Sequence, residues 1–566
     1  MAEEPQKGVK RRRITQACDY CHQRSIRCRP DPEDPDERCT NCVSFQQECT
    51  RLRPAKKRGV KPRNSLDDDS SVAPTLPPAP QAIATQPADI ELWRAPHVAG
   101  QGLIVDLVEV YFEIIYPIFP LFHRPSFIRK ISRGEYNADP ALYAVTMAVC
   151  ALSSARANDN AVSKQSPDVD ELSRVPSRAF YHASIDALPK SDLPSANFNV
   201  MRTYAMLALI AIQYGDHRGM QGFLGKYHAM VAMDGLHDEK NWPQGLGIIE
   251  LEERRRLFWS IYTLDVFSSI VFKSVIRVRE QQSIVHYTSE LDDAFFDNAG
   301  YRLDPQSPTS SSPGSSVSTE SWVHGWNITT DLWRLIEHVA IKLYSHTRRR
   351  RTFSEVATKF ETSPSAAALS AEVDKIYYSL PTHFRHIEEM SGDSTGADRY
   401  GFQAANITAT VQLLRMVLLA SEENTIEQRC HVVSSVVHAF MRIPISYLRA
   451  INSPLLHHLG SIGAVLEGVL AERLTEQQYQ SVRTVLLSLA QLLENLDFGF
   501  HSIQVAKKLR DLVLQIDDHM STHRPVANSL TSPSSSTYSP ATEPGTHVPG
   551  SILTQWPWKT GSSYLP

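Results

Sequence analysis

Two cysteine triads of identical spacing, Cys18-x2-Cys21-x6-Cys28 and Cys39-x2-Cys42-x6-Cys49, hold six of the chain's eight cysteines within thirty-two positions. Each member of the second triad lies twenty-one residues beyond its counterpart, and only Cys150 and Cys430 remain for the rest of the 566 residues. A repeated ligand triad predicts two equivalent half-sites. Two cysteines three apart share one face of a helical turn, so each CxxC pair can grip one ion. Six thiolates fill two tetrahedral zinc sites only if two sulfurs bridge. The repeat makes the first of each triad, Cys18 and Cys39, the natural bridges. Cys21 and Cys28 then complete one zinc, and Cys42 and Cys49 the other. Such a site leaves no position for water or substrate, so its expected role is structural. A segment this short has little core of its own, and structural zinc supplies roughly 10–16 kcal/mol of folding energy in small peptides. A disulfide knot would require an oxidising compartment. The opening MAEEPQKGVKRRR has no apolar run of the signal-peptide kind. A nuclear or cytosolic chain is expected, where clustered thiols more often bind metal.

The net charge of −4 conceals an asymmetry. Residues 1–63 carry sixteen Lys/Arg against nine Asp/Glu, a surplus of seven positive charges, while the other 42 basic and 53 acidic residues leave −11. A basic head on an acidic body points to a polyanionic partner at the N-terminal end alone. Lys10–Arg13 precede the cysteines, and Arg51, Arg53, Lys56, Lys57, Arg58, Lys61 and Arg63 follow them. Runs flanking a zinc module on both sides fit phosphate contacts and nuclear import. A further run, Arg348–Arg351, reads as a surface turn.

The cysteine block resembles the binuclear zinc cluster of fungal transcription factors of the galactose-regulator type. The resemblance implies a two-zinc module that docks on double-stranded DNA, in the nucleus, with the residues after the second cysteine ending a short helix in the major groove. By position, Arg24 and Ser25 match the base-contacting places, and His22 and Arg27 match places that touch phosphate. Arg24 can hydrogen-bond guanine O6 and N7. Ser25 stands where the family usually has a basic residue, and His22 where Arg is common. Two further stretches, Val108–Phe127 and Gly219–Asp265, resemble the family's regulatory region, although KSVIRV (Lys273–Val278) replaces its usual Gly-Arg-Pro. On family grounds the chain is expected to activate RNA polymerase II genes of a metabolic or nutrient-utilisation pathway. Its partners would be the transcription machinery or coactivators, together with a small-molecule inducer.

The expected architecture is mainly α. It comprises a basic arm (1–13), the zinc module (14–52), a basic then Pro/Ser-rich flexible linker (53–98), and an all-α regulatory body (99–303 and 321–521). A low-complexity insertion (304–320) interrupts the body, and a disordered Ser/Thr/Pro-rich tail (522–566) contains Gln555–Trp558, a candidate activator contact. Apolar residues recur at helical spacing in 102–116, 140–155, 199–213, 402–420, 430–449 and 477–496. In LEERRRLFWSIYTLDVFSSIVF, Leu257, Phe258, Ile261, Tyr262 and Leu264 form an apolar stripe, with Glu252–Arg256 expected on the polar side. Residues 64–98 contain no heptad, so the linker imposes no coiled-coil dimer, and a monomer or weak dimer is expected. Tyr204–Ile212, the best membrane-span candidate, is half the length required and reads as a core helix.

No catalytic constellation stands out. Gly219, Gly222 and Gly225 before Lys226 lack the spacing and the Ser/Thr of a phosphate loop, so close helix packing is the expected reason for them. His457-His458 has no ligands at metal spacing, and LAQLL (Leu489–Leu493) reads as core. The expectation is a regulator and not an enzyme.

Overall fold

The structure, a computed structural model, describes residues 17–23, 28–29, 38–45, 47–50, 93–159, 161, 169–190, 197–302, 321–346, 366–390, 397–420, 424–451, 459, 474–496 and 499–523. The chain divides into two compact units, Met1–Asp89 and Ile90–Pro566. In the first, two five-residue helices, α1 (Asp19–Gln23) and α2 (Thr40–Ser44), each carry the second cysteine of a CxxC pair, Cys21 and Cys42. The low-complexity stretch 304–320, the run Arg348–Arg351, His457-His458 and the tail beyond His523 lie outside the described residues.

Among the described residues of the second unit the regular structure is helical apart from one short hairpin, Phe296–Asp297 against Gly300–Tyr301. Its first helices are α3 (Gln101–Val110), which runs into a π-helical turn at Tyr111–Ile115, α4 (Arg124–Ser132) and α5 (Pro140–Asn158). Then follow α6 (Val169–Leu172), α7 (Ser177–Ala187), α8 (Phe198–Gln213), α9 (His217–Met233) and α10 (Ile248–Phe272). The later helices are α11 (Trp322–His346), α12 (Ala366–Ser379), α13 (Ala397–Ala420) and α14 (Ile426–Met441). The series ends with α15 (Ile445–Ile451), α16 (Glu476–Leu496) and α17 (Gly499–His523).

Local chemistry sets where these helices start. Asp139 caps α5 by accepting from the Ala141 and Leu142 amides at 2.9 and 3.2 Å, with Pro140 pre-set for the first turn. Asn197 caps α8 in the same way, and Thr425 with Gln428 makes a reciprocal capping box on α14. The single apolar stripe expected over 430–449 is two helices, because Pro444 cannot continue α14. Helix α5 packs against α3, α7 and α8, and α11 packs against α13. That second crossing is close. A Cβ added at Gly325 of α11 would come within 2.8 Å of Gln403 Cβ on α13 and 2.6 Å of the Phe384 ring. One continuous apolar core runs from Ile104 to Ile516. Leu489, Ala490, Leu492 and Leu493 lie in it, which gives LAQLL its explanation.

Three sequence expectations are corrected here. Residues 93–98, assigned to the linker, pack on the body. Trp93 meets Tyr143 edge-on with ring centroids 5.5 Å apart, and the Tyr143 hydroxyl donates to the Pro96 carbonyl at 2.8 Å. A tryptophan in a proline-rich stretch has large apolar area to bury, and here it buries it. The glycines of α9 are not explained by close packing. A Cβ at Gly222 or Gly225 would meet nothing within 4 Å, and Gly219 instead makes room for the capping carboxylate of Asp216.

The third correction concerns α10. Glu252–Arg256, expected on a polar face, are largely interior: Glu252 and Arg256 are fully buried and Glu253 and Arg254 are buried. Each charge has a partner, which is what makes the burial tolerable. Glu252 accepts from the Thr288 hydroxyl at 2.6 Å, the Tyr301 hydroxyl at 2.7 Å and Arg255 at 3.0 Å. Glu253 accepts from the His123 amide at 2.7 Å and pairs with Arg202. Arg254 pairs with Glu250 at 2.7 Å and lies over the Phe198 ring. Arg256 pairs with Asp293 at 2.7 Å, and Asp293 also accepts from the Tyr116 hydroxyl and the Arg124 amide. Burial opposes ionisation of Asp293, yet Arg256 and these donors hold its carboxyl below the usual range. The network ties α10 to the turn after α3, to the start of α4 and to the 288–301 segment.

Helix α13 contains a stretch, Asp398–Ala420, long and apolar enough by composition to cross a membrane, which the sequence reading did not single out. Of that window 83% is buried inside the body, so it serves as a core helix.

Candidate metal centre and nucleic-acid interface

The twenty-one-residue repeat is a repeat of geometry. Cys18 immediately precedes α1, and its sulfur accepts from the Cys21 amide at 3.4 Å. Cys39 occupies the N-cap of α2, and its sulfur accepts from the Cys42 amide, also at 3.4 Å. The first cysteine of each CxxC is thus the cap of its helix, not a residue on the helix face. The halves are also strapped to each other reciprocally. The Asp19 amide donates to the Thr50 carbonyl at 2.8 Å, and the Thr40 amide to the Arg29 carbonyl at 3.0 Å. In both straps the residue after a first cysteine binds the residue after the other half's third cysteine. A hydroxyl reinforces each, Thr50 to Asp19 at 3.0 Å and Thr40 to the Arg29 carbonyl at 3.3 Å.

All eight cysteines are free thiols. Six sulfurs gather into two sets of four, Cys18, Cys21, Cys28, Cys39 and Cys18, Cys39, Cys42, Cys49, with the donors of each set within 4.8 Å of one another. The sets share Cys18 and Cys39. Sulfur separations are 3.7 Å for Cys18–Cys39, 3.6 Å for Cys18–Cys42 and 3.6 Å for Cys21–Cys39. Tetrahedral zinc with bonds of about 2.3 Å to sulfur sets its ligands about 3.8 Å apart. The residues present therefore fit zinc. Cys18, Cys21, Cys39 and Cys42 are buried, and Cys28 and Cys49 are half-buried.

The two shared positions are also the more acidic ones. Burial works against ionisation of Cys39, but the Cys42 amide and the surrounding thiols bring it down to about 6. Cys18 is lowered too, against burial, by the Cys21 amide and the Cys21 and Cys42 thiols. A thiolate is the form that ligates metal. The Asn41 amide donates to Cys21 at 3.5 Å, a supporting contact that spacing alone did not reveal.

Of the residues expected at the nucleic-acid interface, His22 lies in the last turn of α1 and is exposed. Arg24, Ser25, Arg27, Lys56, Lys57 and Arg58 lie outside the described residues. The reciprocal straps had one signal in the sequence, the equal length of the two x6 spacers, which places residues 29 and 50 equivalently.

Residues 108–319 match the fungal specific transcription factor domain. The chain is 24% identical over 303 residues to the transcriptional activator protein acu-15 of Neurospora crassa, which covers 51% of this chain and 28% of that protein. It is 25% identical over 257 residues to the maltose fermentation regulatory protein MAL13 of Saccharomyces cerevisiae, covering 45% of this chain and 50% of the relative. With the Zn(2)-C6 fungal-type transcription factor FTF1a of Fusarium oxysporum f. sp. lycopersici, it shares 26% over 248 residues, 40% of this chain and 22% of the relative. Residues 108–319 thus resemble the regulatory domain of fungal transcription factors, and the chain is similar to proteins named as transcriptional activators and as a Zn(2)-C6 fungal-type transcription factor. It matches between about a quarter and a half of the length of these relatives. No solved structure matches it. The described residues of the match, within 108–302, are in the helical unit, and the two sulfur sets lie in the other.

Proposed function

We propose that the chain is a nuclear, sequence-specific DNA-binding regulator of RNA polymerase II genes, acting as an activator for a metabolic or nutrient-utilisation pathway. The observation that carries this reading is the pair of sulfur sets sharing Cys18 and Cys39. The regulatory-domain match and relatives named as activators and as a maltose fermentation regulator support it. Two zinc ions per chain would be held by Cys18, Cys21, Cys28, Cys39, Cys42 and Cys49, and when bound they supply the cross-links that a coreless module needs. Around them the chain's own residues do the recognition. Helix α1 leads the segment carrying Arg24 and Ser25 into the major groove, where Arg24 reads one guanine and Ser25 adds a weaker preference beside it. His22 and Arg27, with Lys56, Lys57 and Arg58 in the flank, hold phosphates. The helical body is non-catalytic in this reading and answers to coactivators or a small-molecule inducer. The linker lacks heptads, which favours a monomer or weak dimer.

Selection of bound DNA from a random library, on the full chain with and without a zinc chelator, tests this. A guanine-anchored motif should emerge from the zinc-loaded chain and vanish on chelation. Arg24→Ala should cost about 1–3 kcal/mol and relax selectivity at one position. Absence of any sequence preference in the zinc-loaded chain would overturn the proposal.

A further inference from the structure

Helices α10, α11, α13 and α15 and the π-helical turn after α3 enclose a cavity of about 100 Å³ in the body. Its walls are mainly apolar, with Ile114, Ile118, Leu264, Phe267, Trp326 and Trp333 providing much of the surface. Against them stand a few polar groups: the Asn406 amide, threonine hydroxyls including Thr263 and Thr410, and one cation, Arg156 of α5. An apolar pocket with a small number of convergent polar groups is the usual form of a small-molecule site.

Arg156 is the anomaly. Four arginines are buried among the described residues. Three pair with carboxylates: Arg202 with Glu253, Arg254 with Glu250 and Arg256 with Asp293. Arg156 has no ion pair among the described residues. Its one hydrogen bond there runs from Nη1 to the Ala450 carbonyl at 2.8 Å, and its buried Nε has no partner. Burial pulls the guanidinium down to about 10, against the field of the Asp159 carboxylate, which acts on it through space and accepts from Gln213. A buried cation without a contact ion pair is only partly compensated, and this one lines an apolar cavity. We propose that the cavity is a binding site for a small monocarboxylate, whose apolar body fills the space between the aromatic walls and whose carboxylate meets Arg156.

The dimensions set the ligand class. An apolar cavity of roughly 150 Å³ accepts one benzene molecule, so this smaller one suits a short aliphatic chain and not a ring. One cation among neutral polar groups suits a single negative charge, not a phosphate or a dicarboxylate. Three walls come from α10, α11 and α13, so an occupant would bridge the matched domain to helices beyond it. This inference stands apart from the DNA-binding reading.

Butyrate and the neutral butyramide, titrated into the full zinc-loaded chain by calorimetry and saturation-transfer NMR, test it. Butyrate should bind at least tenfold more tightly than butyramide. Arg156→Met should remove that preference, and Ala409→Phe, which fills the cavity from α13 and leaves Arg156 intact, should abolish binding of both. Butyrate binding no tighter than butyramide in the unaltered chain, or unchanged in Ala409→Phe, overturns the proposal. Should Arg156→Met fail to fold, Ala409→Phe decides alone. A chain that selects DNA normally but ignores butyrate fails only here, and one that binds butyrate but selects no DNA fails only the functional reading.

Discussion

The metal module and the helical body solve the same problem by opposite means. In the module, four of the six clustered cysteines are buried, the helices are five residues long, and the partly buried side chains packed against the sulfurs are Tyr20, Cys28 and Cys49. Everything there depends on what the sulfurs hold. In the body a core running from Ile104 to Ile516 surrounds a helix whose charges are largely interior and paired. The module is specified by repeated spacing, and the body by partners brought from far along the chain, such as Tyr116 and Asp293, 177 residues apart. A repeat can be read from sequence. Pairings of that range cannot.

Removing metal should separate the two most sharply. A zinc chelator should unfold residues 14–52, which lose roughly 10–16 kcal/mol of support, while the thermal transition of the body stays where it was. Proteolysis and calorimetry of the full chain read both outcomes, and a body transition that moves with metal would break the comparison. Within the module, Cys39→Ala should lower bound zinc more than Cys49→Ala, because Cys39 belongs to both sulfur sets. Native mass spectrometry checks this, and equal losses would remove the special standing of the shared sulfurs.

The reverse experiment targets the body. Arg256→Met leaves Asp293 as a buried carboxylate without its cation, which for broken buried pairs costs about 3–5 kcal/mol. Denaturant unfolding should show the loss in the body alone, with zinc content unchanged. Acid should act in the same direction. The carboxyls of Asp293, Glu252 and Glu239 are held below their ordinary values despite burial, by Arg256, by the Thr288 and Tyr301 hydroxyls, and by Arg255. Groups with lowered folded values contribute stability that is complete above their ordinary values near 4 and is lost as pH falls through the folded ones. Asp265, which burial pushes up, works the other way and blunts the effect. Body stability should therefore fall below about pH 4, and the fall should shrink in Asp293→Asn. The smallest expected effect is a gain. Gly222 lies exposed within α9 with open space where a Cβ would go. Gly222→Ala should add up to about 1 kcal/mol through helix propensity, and a loss instead would restore a packing role for that glycine.

Helical periodicity carried most of the fold, because a helix advertises its buried face every three or four residues. It failed at α10, where a Glu/Arg-rich run reads as a solvated face unless its partners are known. His123, Tyr116, Thr288 and Asp293 are neighbours only once the chain is folded. It also joined α14 to α15, although Pro444 was a visible breaker, and it took Trp93 for linker because proline content outweighed one aromatic residue. At the metal centre the spacing contained the grouping of the sulfurs but not the Asn41 contact, which depends on where a side chain turns. Arg156 could not have been picked out from sequence at all. An arginine in the last turn of a helix usually interacts favourably with the helix end and water, and only the burial and the lack of a contact ion pair among the described residues set this one apart.

The reciprocal straps bear on how the module assembles. Each half receives a backbone bond that only the other half can give, Asp19 to Thr50 in one direction and Thr40 to Arg29 in the other. Neither half is then a resting place on the way to the other, and the first ion captured closes a loop that prepares the second site. Uptake should be sigmoidal in metal concentration, with the half-loaded chain scarce at every point of the titration. Inserting residues between Arg29 and Arg38 should disfavour that closure only slightly, since each doubling of the closed length costs about 0.6 kcal/mol. Inserting one within a triad would instead shift its third cysteine and the strap residue beside it together, so the two insertions should differ sharply in metal uptake.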